Sequence, residues 1–539
     1  MTATNLFDAI FAPQRDAQPA VLSPQGNLSY GELRAETIHA AQVFKAIGIE
    51  SGERVAILLN DSAEFIACFV AIQSLGAIAV PVNMGLGAAE QHLILNDCTA
   101  RVAIVEADLC NTLLTDATNK LRHLGQLVVV CRSPNQSAPQ VEGVNTRAFA
   151  EAPTEALGAS FPTQPSNDTP AFILYTSGST GEPKGAVHSQ SDVFYTNETF
   201  CKQVLGLRAG DRLFSSSRLP FAYGLGNSFS FPLLNGVTTV LCLEKPAPEV
   251  ISRIFSEFKP TIFFGVPVVY NLLLDHHRQR KALDCTSLRL CISAGEALPA
   301  HLGKTWQETF GVEVLDGIGS TEMLHMWMSN REGTVRYGSS GQLLQGYEAR
   351  LLDQDGEEMP AGQAGNLWVK GASAASSYWQ RAETSARTFV NGWVRTGDLY
   401  ARDEDGYWFH MGRSDDCFKS SGQWVSPVEV EGVLVRHPSV RTAAVVEDLD
   451  EHRLPCPCAF IVRGEKEPDD PKLEEELRVM SKEALPRFKR PRKYLIVPEL
   501  PYTATGKIQR FKLREQLRKR DILRAEGGVR NVGLSGSET

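Results

Sequence analysis

The chain has 539 residues, 43% hydrophobic, 22% charged and 8% aromatic, the make-up of a folded protein with room for about three or four structural units. Those proportions exclude a disordered scaffold, a collagen-like fibre and a small disulfide-stapled domain. A formal net charge of −9 gives no bulk attraction to nucleic acid or to an anionic membrane surface. The 11 cysteines are scattered, and the one close spacing, Cys456 and Cys458, reads as small buried residues in a reducing compartment rather than a metal or redox pair. The N-terminus lacks the pattern of a secretory signal, and no apolar run approaches the roughly 20 residues needed to span a bilayer. A cytoplasmic protein is expected.

In chain order, short apolar runs alternate with helical patterns. Arg54–Leu59 reads as a strand, Ala63–Leu75 as an apolar helix, Ile78–Val82 as a strand, Ala88–Asn96 as a helix and Val102–Val105 as a strand. Ala171–Leu174, Val237–Leu241, Thr261–Val266 and Leu288–Ile292 continue the strand series. Strands separated by helices of this length predict βαβ units around buried parallel sheets, two of them here. Near Gly341 the pattern changes to short runs split by Asp-Gly turns, Tyr347–Leu352, Asn366–Val369, Trp393–Arg395 and Tyr407–Met411, which predict an antiparallel sheet or small barrel. After Gly412 a smaller segment follows: helix Val428–Val435, strands Thr442–Val446 and Ala459–Val462, helix Leu473–Leu485 and strand Tyr494–Val497. The fold class is therefore α/β and multidomain, with a large N-terminal domain of two αβ sheets plus a small antiparallel barrel-like sheet, and a small C-terminal α+β domain. The boundaries expected are 1–412, a hinge at 413–416, a C-terminal lid domain at 417–525 and a mobile tail at 526–539. The basic run Arg487–Lys493 reads as a solvated turn ahead of the last strand, with nucleic acid or a polyphosphate as the competing partners.

The segment Tyr175-Thr-Ser-Gly-Ser-Thr-Gly-Glu-Pro-Lys-Gly185 carries most information. It follows an apolar strand and packs four hydroxyls (Thr176, Ser177, Ser179, Thr180), three glycines and Lys184 into a short stretch. Glycines let a backbone close around an anion, hydroxyls and amides supply donors, and lysine supplies charge. Phosphate binding is the direct chemical reading. A P-loop requires GxxxxGK[ST], and Lys184 stands instead between Pro183 and Gly185, so the match fails.

This loop resembles the phosphate loop of the adenylate-forming superfamily. Four further motifs are similar in the same order: Gly319-Ser-Thr-Glu322, Arg395-Thr-Gly-Asp398-Leu399, Gly412-Arg413-Ser-Asp415-Asp416-Cys-Phe-Lys419 and Thr503-Ala-Thr-Gly-Lys507. The resemblance covers about residues 5 to 520. It implies a two-step ligase that uses ATP and Mg²⁺, with CoA as co-substrate. A carboxylate attacks the α-phosphate and expels pyrophosphate; a thiol then attacks the acyl-adenylate and expels AMP.

The roles implied by that resemblance are as follows. Thr321 bonds the α-phosphate and Glu322 holds Mg²⁺. Gly295 and Glu296 belong to the segment that packs on adenine, continued by Asp316, Gly317 and Ile318. Asp398 clamps the ribose and Arg413 contacts the same sugar or the phosphates. Lys507 bridges substrate carboxylate and nucleotide, Asp415 is the hinge, and Lys419, Gly422 and Trp424 line the approach of the thiol.

Leu219-Pro-Phe221-Ala222-Tyr223 and Asp316-Gly-Ile-Gly-Ser-Thr-Glu-Met-Leu-His325 are similar to the benzoate-CoA ligase branch. There Phe221, Ala222, Tyr223, Gly317, Ile318 and His325 would form a flat slot for an aromatic ring. The substrate implied is a small aromatic carboxylic acid, benzoate or a substituted benzoate such as anthranilate or salicylate, and the oligomeric state expected is a monomer or homodimer. Two alternatives stay open on sequence: an aryl-adenylating enzyme that loads a carrier-protein phosphopantetheine, and an inactive nucleotide-binding relative.

Overall fold

The computed structural model describes residues 5–114, 121–133, 136–139, 143–151, 169–177, 183–279, 283–450, 452–464, 472–502 and 508–525. Three stretches with expectations on them, Gly178–Glu182, Thr503–Lys507 and the tail 526–539, lie outside the described residues.

Two large sheets are present. The first has eight strands in the order Ser377–Tyr378, Pro183–His188, Phe172–Ser177, Ile78–Pro81, Arg54–Leu58, Val102–Glu106, Gln126–Val130 and Asn145–Ala148. The five strands from Ile78–Pro81 to Asn145–Ala148 run parallel. Arg54–Leu58 is buried at every position after the first, which is why its sequence is a continuous apolar run rather than an alternation. The second sheet has nine strands, ordered Gln342–Leu343, Met326–Ser329, Val314–Gly319, Leu290–Ser293, Ile262–Gly265, Arg212–Ser215, Thr238–Val240, Pro19–Leu22 and Leu28–Ser29.

Helix Tyr30–Ala46 starts at a reciprocal cap between Ser29 and Glu32, and helix Ala63–Ser74 starts where Ser62 accepts from the Phe65 amide; such caps satisfy amides with no helical partner. The second helix is buried from Phe65 to Ser74. One apolar cluster joins it to both sheets, with Val55, Ile57 and Phe172 on one side and Val21 and Leu241 on the other.

The expected antiparallel sheet is present, with strands Glu348–Leu352, Ala364–Lys370, Trp393–Arg402 and Phe389–Val390 in order and Trp408–Arg413 paired to Trp393–Arg402. The chain divides into two compact units: residues 1–363, 367–396 and 402–409, and residues 364–366, 397–401 and 410–539. The second unit therefore begins earlier than a cut at 412 and includes the short Asp398 segment.

Within the second unit, strands Val440–Leu449, Pro455–Arg463 and Lys493–Ile496 form a sheet covered on both faces. Alternation assigns the faces: Ala443, Val445, Ala459 and Ile461 pack with helices Pro427–Leu434 and Leu473–Ala484. Ala444, Val446, Cys458 and Phe460 pack instead with Leu513 and Leu517 of helix Arg510–Ala525. Cys456 and Cys458 are buried free thiols on this sheet, and no metal-binding cluster occurs among the described residues.

Three of the five basic residues in the run before the last strand are paired within the fold, and Arg487 and Arg492 stay exposed. Lys489 pairs with Glu429, Lys493 pairs with Asp448, and Arg490 caps the carbonyls of Leu485 and Lys482. Among the described residues no helix is long and apolar enough to cross a membrane.

Candidate active site

The first unit gathers its expected residues at one edge. Strands Arg212–Ser215, Ile262–Gly265, Leu290–Ser293 and Val314–Gly319 run parallel and in register, so their carboxyl ends lie side by side. The segments that leave those ends are Ser216–Tyr223, Val266, Ala294–Glu296 and Ser320–Glu322. Parallel α/β sheets bind ligands at this edge, in the crevice outside the carboxyl ends of the strands. Gly295 and Glu296 are exposed.

The phosphate-loop sequence is flanked by an antiparallel pair, Phe172–Ser177 with Pro183–His188. The strand expected over Ala171–Leu174 runs on to Ser177, and Lys184, expected in the loop, lies in a strand directly opposite Thr176. Both side chains are half-buried, at paired positions of the two strands. Ser177 pairs through its backbone with Pro183, and Ser179 and Thr180 fall outside the described residues.

Thr321–Met323 forms a single 3₁₀ turn. All three of its carbonyls are bonded from outside: Thr321 by His188 Nε2 at 2.8 Å, Glu322 by the Ala375 amide at 2.7 Å, and Met323 by Ser373 Oγ at 2.9 Å. His188 is buried, stacked on Phe172 and held at Nδ1 by Asp192 at 2.7 Å. The Glu322 carboxylate accepts from the Tyr378 hydroxyl at 2.6 Å.

The two segments expected to receive the acid contribute Tyr223 and His325 to an aromatic cluster. His325 is 3% exposed and its ring lies 4.7 Å from Phe200, 4.6 Å from Phe231 and 5.6 Å from Tyr223, centroid to centroid. Its Nε2 meets Asn227 Oδ1 at 3.1 Å. Burial pushes its pKa down to about 3, so the ring is neutral at physiological pH. The Tyr223 hydroxyl donates to the Ile292 carbonyl at 3.2 Å, which fixes the ring beside Phe264. Phe221 and Ile318 are half-buried and Ala222 is buried; Ile318 pairs with Met328 across the neighbouring strand, and Gly317 with Ser329. Asp316 turns into the interior at 2% exposure, where it accepts the Leu298 amide. Burial raises its carboxyl well above the usual range.

The second unit holds a separate cluster. Asp398 and Arg413 form an ion pair at 3.2 Å, with Asp398 largely shielded and Arg413 half-exposed. The residue before Asp398, Gly397, has φ +75°, and a Cβ there would lie 2.8 Å from the Arg413 guanidinium. The positive φ favours glycine at this position. Arg413 Nε also lies 3.5 Å from Asp415, while Asp416 is held by Arg514 at 2.9 Å and Arg510 at 3.7 Å. Lys419 is exposed on a hairpin, Phe418–Ser420 with Gln423–Val425, opposite Trp424. Its turn, Ser421-Gly422, has φ +52° and +76°, the two positive values that match a hairpin's twist. Lys507 lies outside the described residues.

Sequence reasoning missed His188, Asp192, Ser373 and Tyr378. The one available signal was a polar residue ending an apolar run, Gly-Ala-Val-His188, and it does not say which turn the imidazole will meet.

The chain matches the model of the AMP-binding enzyme over residues 10–379 and that of the AMP-binding enzyme C-terminal domain over residues 429–507. It is 40% identical to a benzoate–CoA ligase of Thauera aromatica, covering 93% of each chain. Among solved structures it resembles an anthranilate CoA ligase in complex with anthranoyl-AMP, with TM-score 0.89, 38% identity, and 97% and 99% of the two chains covered. A benzoate CoA ligase from Burkholderia xenovorans gives TM-score 0.82, 37% identity, and 95% and 100% coverage.

Proposed function

The chain belongs to the AMP-binding enzyme family, and from that premise we propose that it is an ATP-dependent aryl-CoA ligase. It activates benzoate or a small substituted benzoate as the acyl-adenylate and transfers the acyl group to CoA. The observation that carries this reading is likeness along the whole chain to ligases of benzoate and anthranilate, joined to an aromatic wall of Tyr223, Phe200 and Phe231 around a neutral His325.

In the first step an anion approaches a polyanion, so charge neutralisation and alignment carry the catalysis. Lys184 and Thr176 bind the outer phosphates and Thr321 bonds the α-phosphate. Gly295 and Glu296 flank the adenine. Asp398 accepts from the ribose hydroxyls, with Arg413 holding that carboxylate in place. Glu322 suits Mg²⁺: it offers carboxylate oxygens, is only half-buried, and one oxygen is already oriented by Tyr378. When bound, the ion would neutralise phosphate charge. Tyr223, Ile318 and Phe221 exclude water from the ring of the acid.

Lys507 serves adenylation, and Lys419 with Gly422 and Trp424 serves thioester formation, with dihedral change at Asp415 exchanging them. Lys507→Ala should then lose ATP–pyrophosphate exchange while still converting supplied aryl-AMP and CoA to thioester, and Lys419→Ala should do the reverse. The test of substrate class is acid-dependent ATP–pyrophosphate exchange with benzoates, cinnamates and fatty acids side by side, followed by CoA-dependent AMP release. Benzoate-sized acids should lead; palmitate in first place would overturn the aryl reading.

A further inference from the structure

We propose that Tyr378 is a positioning residue for the metal-binding carboxylate, tying Glu322 to the strand that carries Lys184; this rests on the reading of Glu322 as the Mg²⁺ ligand. Tyr378 meets both charged groups. Its hydroxyl donates to Glu322 Oε1 at 2.6 Å, and Lys184 Nζ stands 5.7 Å from its ring centroid. Its backbone pairs with Ala186 on the strand Pro183–His188, two residues from Lys184. One side chain therefore spans from the strand bearing the cation to the carboxylate.

The need for such a residue follows from how the turn is held. His188, the Ala375 amide and Ser373 fix the three carbonyls of Thr321–Met323, so the backbone of the turn has little freedom left. The Glu322 side chain still has three rotatable bonds. A hydrogen bond to one carboxylate oxygen removes that freedom and leaves the second oxygen for the ion, since an ionised carboxylate has about four lone-pair sites. Tyr378 is itself fixed, 7% exposed and packed on Phe389 at 5.3 Å. Partners behind a ligating carboxylate typically change metal affinity by about 10–100-fold when removed.

The test uses Tyr378→Phe, which keeps the ring, its packing and its face toward Lys184 and removes only the hydroxyl. Mn²⁺ binding is followed by electron paramagnetic resonance on the full chain with an ATP analogue carrying a methylene bridge between the α- and β-phosphates. Wild type, Tyr378→Phe, Glu322→Gln and the double variant are compared, and the thermal midpoint of each is recorded. We expect Tyr378→Phe to weaken Mn²⁺ about tenfold with an unchanged midpoint and unchanged affinity for the analogue without metal. The double variant should be no weaker than Glu322→Gln, because the hydroxyl acts only through that carboxylate. If Glu322→Gln weakens Mn²⁺ and Tyr378→Phe does not, the positioning role is wrong and the ligand assignment stands. If the losses add in the double variant, Tyr378 acts elsewhere and the proposal is likewise overturned. If Glu322→Gln leaves Mn²⁺ binding unchanged, it is the assignment of Glu322 that fails.

Discussion

The turn at Thr321 and the segment at Phe221 leave the same edge of the same sheet, and they differ in how far hydrogen bonds or ring packing hold them. The turn is fixed by directional contacts, three carbonyls and a carboxylate each with a named donor. The segment at Phe221 leans more on ring packing, Tyr223 against His325 and His325 against Phe200 and Phe231, with the bonds of Tyr223 to Ile292 and of Leu219 to Asp61 beside it. Hydrogen bonds fix one geometry and fail when it is lost; aromatic packing tolerates changes of shape at modest cost. In the proposed function, chemistry common to every acid falls on the first kind of support, and selection among acids on the second.

The largest effect expected tests the first half of that contrast. Glu322→Gln or Thr321→Ala should lower kcat for every accepted acid by about two to three orders of magnitude, the usual cost of losing a preorganised charge contact in a closed site. The ratio of kcat/KM between two acids should stay fixed. A variant that lost benzoate turnover but kept another acid would place the turn in the acyl pocket.

Tyr223→Ala should do the converse, on a smaller scale. One altered wall contact is worth about 1–3 kcal/mol between competing substrates, so the preference between benzoate and a ring-substituted benzoate should shift by about ten- to two-hundred-fold. The KM for ATP should not move. A uniform loss with a raised KM for ATP would assign Tyr223 to the nucleotide side.

His325 sharpens the same comparison through pH. With its pKa held near 3 by burial, it stays neutral from pH 5 to 8 and contributes no inflection there. The profiles of kcat/KM for wild type and His325→Gln should therefore have the same shape and differ only in height and acid preference. An inflection near pH 6 that the substitution removed would mean the ring titrates and is wetter than its packing implies.

The division between what could be read and what could not follows the same line. Apolar runs such as Arg54–Leu58 and Ile262–Gly265 are local and continuous, so the two sheets were legible from periodicity. The segments carrying Gly295, Thr321 and Tyr223 were legible through motif order. Lys184 was misplaced because Pro-Lys-Gly reads as a turn, whereas proline is admissible as the first residue of a strand, and the pairing with Thr176 that makes it one is a tertiary fact. His188 and Tyr378 were illegible because each acts on a residue far away in sequence, 133 positions for one and 56 for the other. Nothing in a short window encodes such a contact.

The smallest effect on turnover concerns the support beneath the acyl segment. Asp61 is buried at 5% exposure, accepts the Leu219 amide at 3.0 Å and lies 3.7 Å from Arg218. Burial outweighs that cation and raises its pKa to about 6. Below about pH 4 the carboxyl is protonated in both folded and unfolded chains and costs nothing. Between pH 4 and 6 the unfolded chain releases its proton first, so stability falls as pH rises, by up to about 3 kcal/mol once the folded carboxyl has also ionised. Asp61→Asn keeps an oxygen for the Leu219 amide and has no proton to lose. Relative to wild type, the variant should therefore gain stability in chemical denaturation on going from pH 4.5 to pH 7.5, with turnover of benzoate changed less than in any variant above. A stability difference that did not move with pH would mean the Arg218 guanidinium fully compensates the buried charge. The anchor of Leu219 would then be a compensated ion pair throughout the range above about pH 4 rather than a strained one above pH 6.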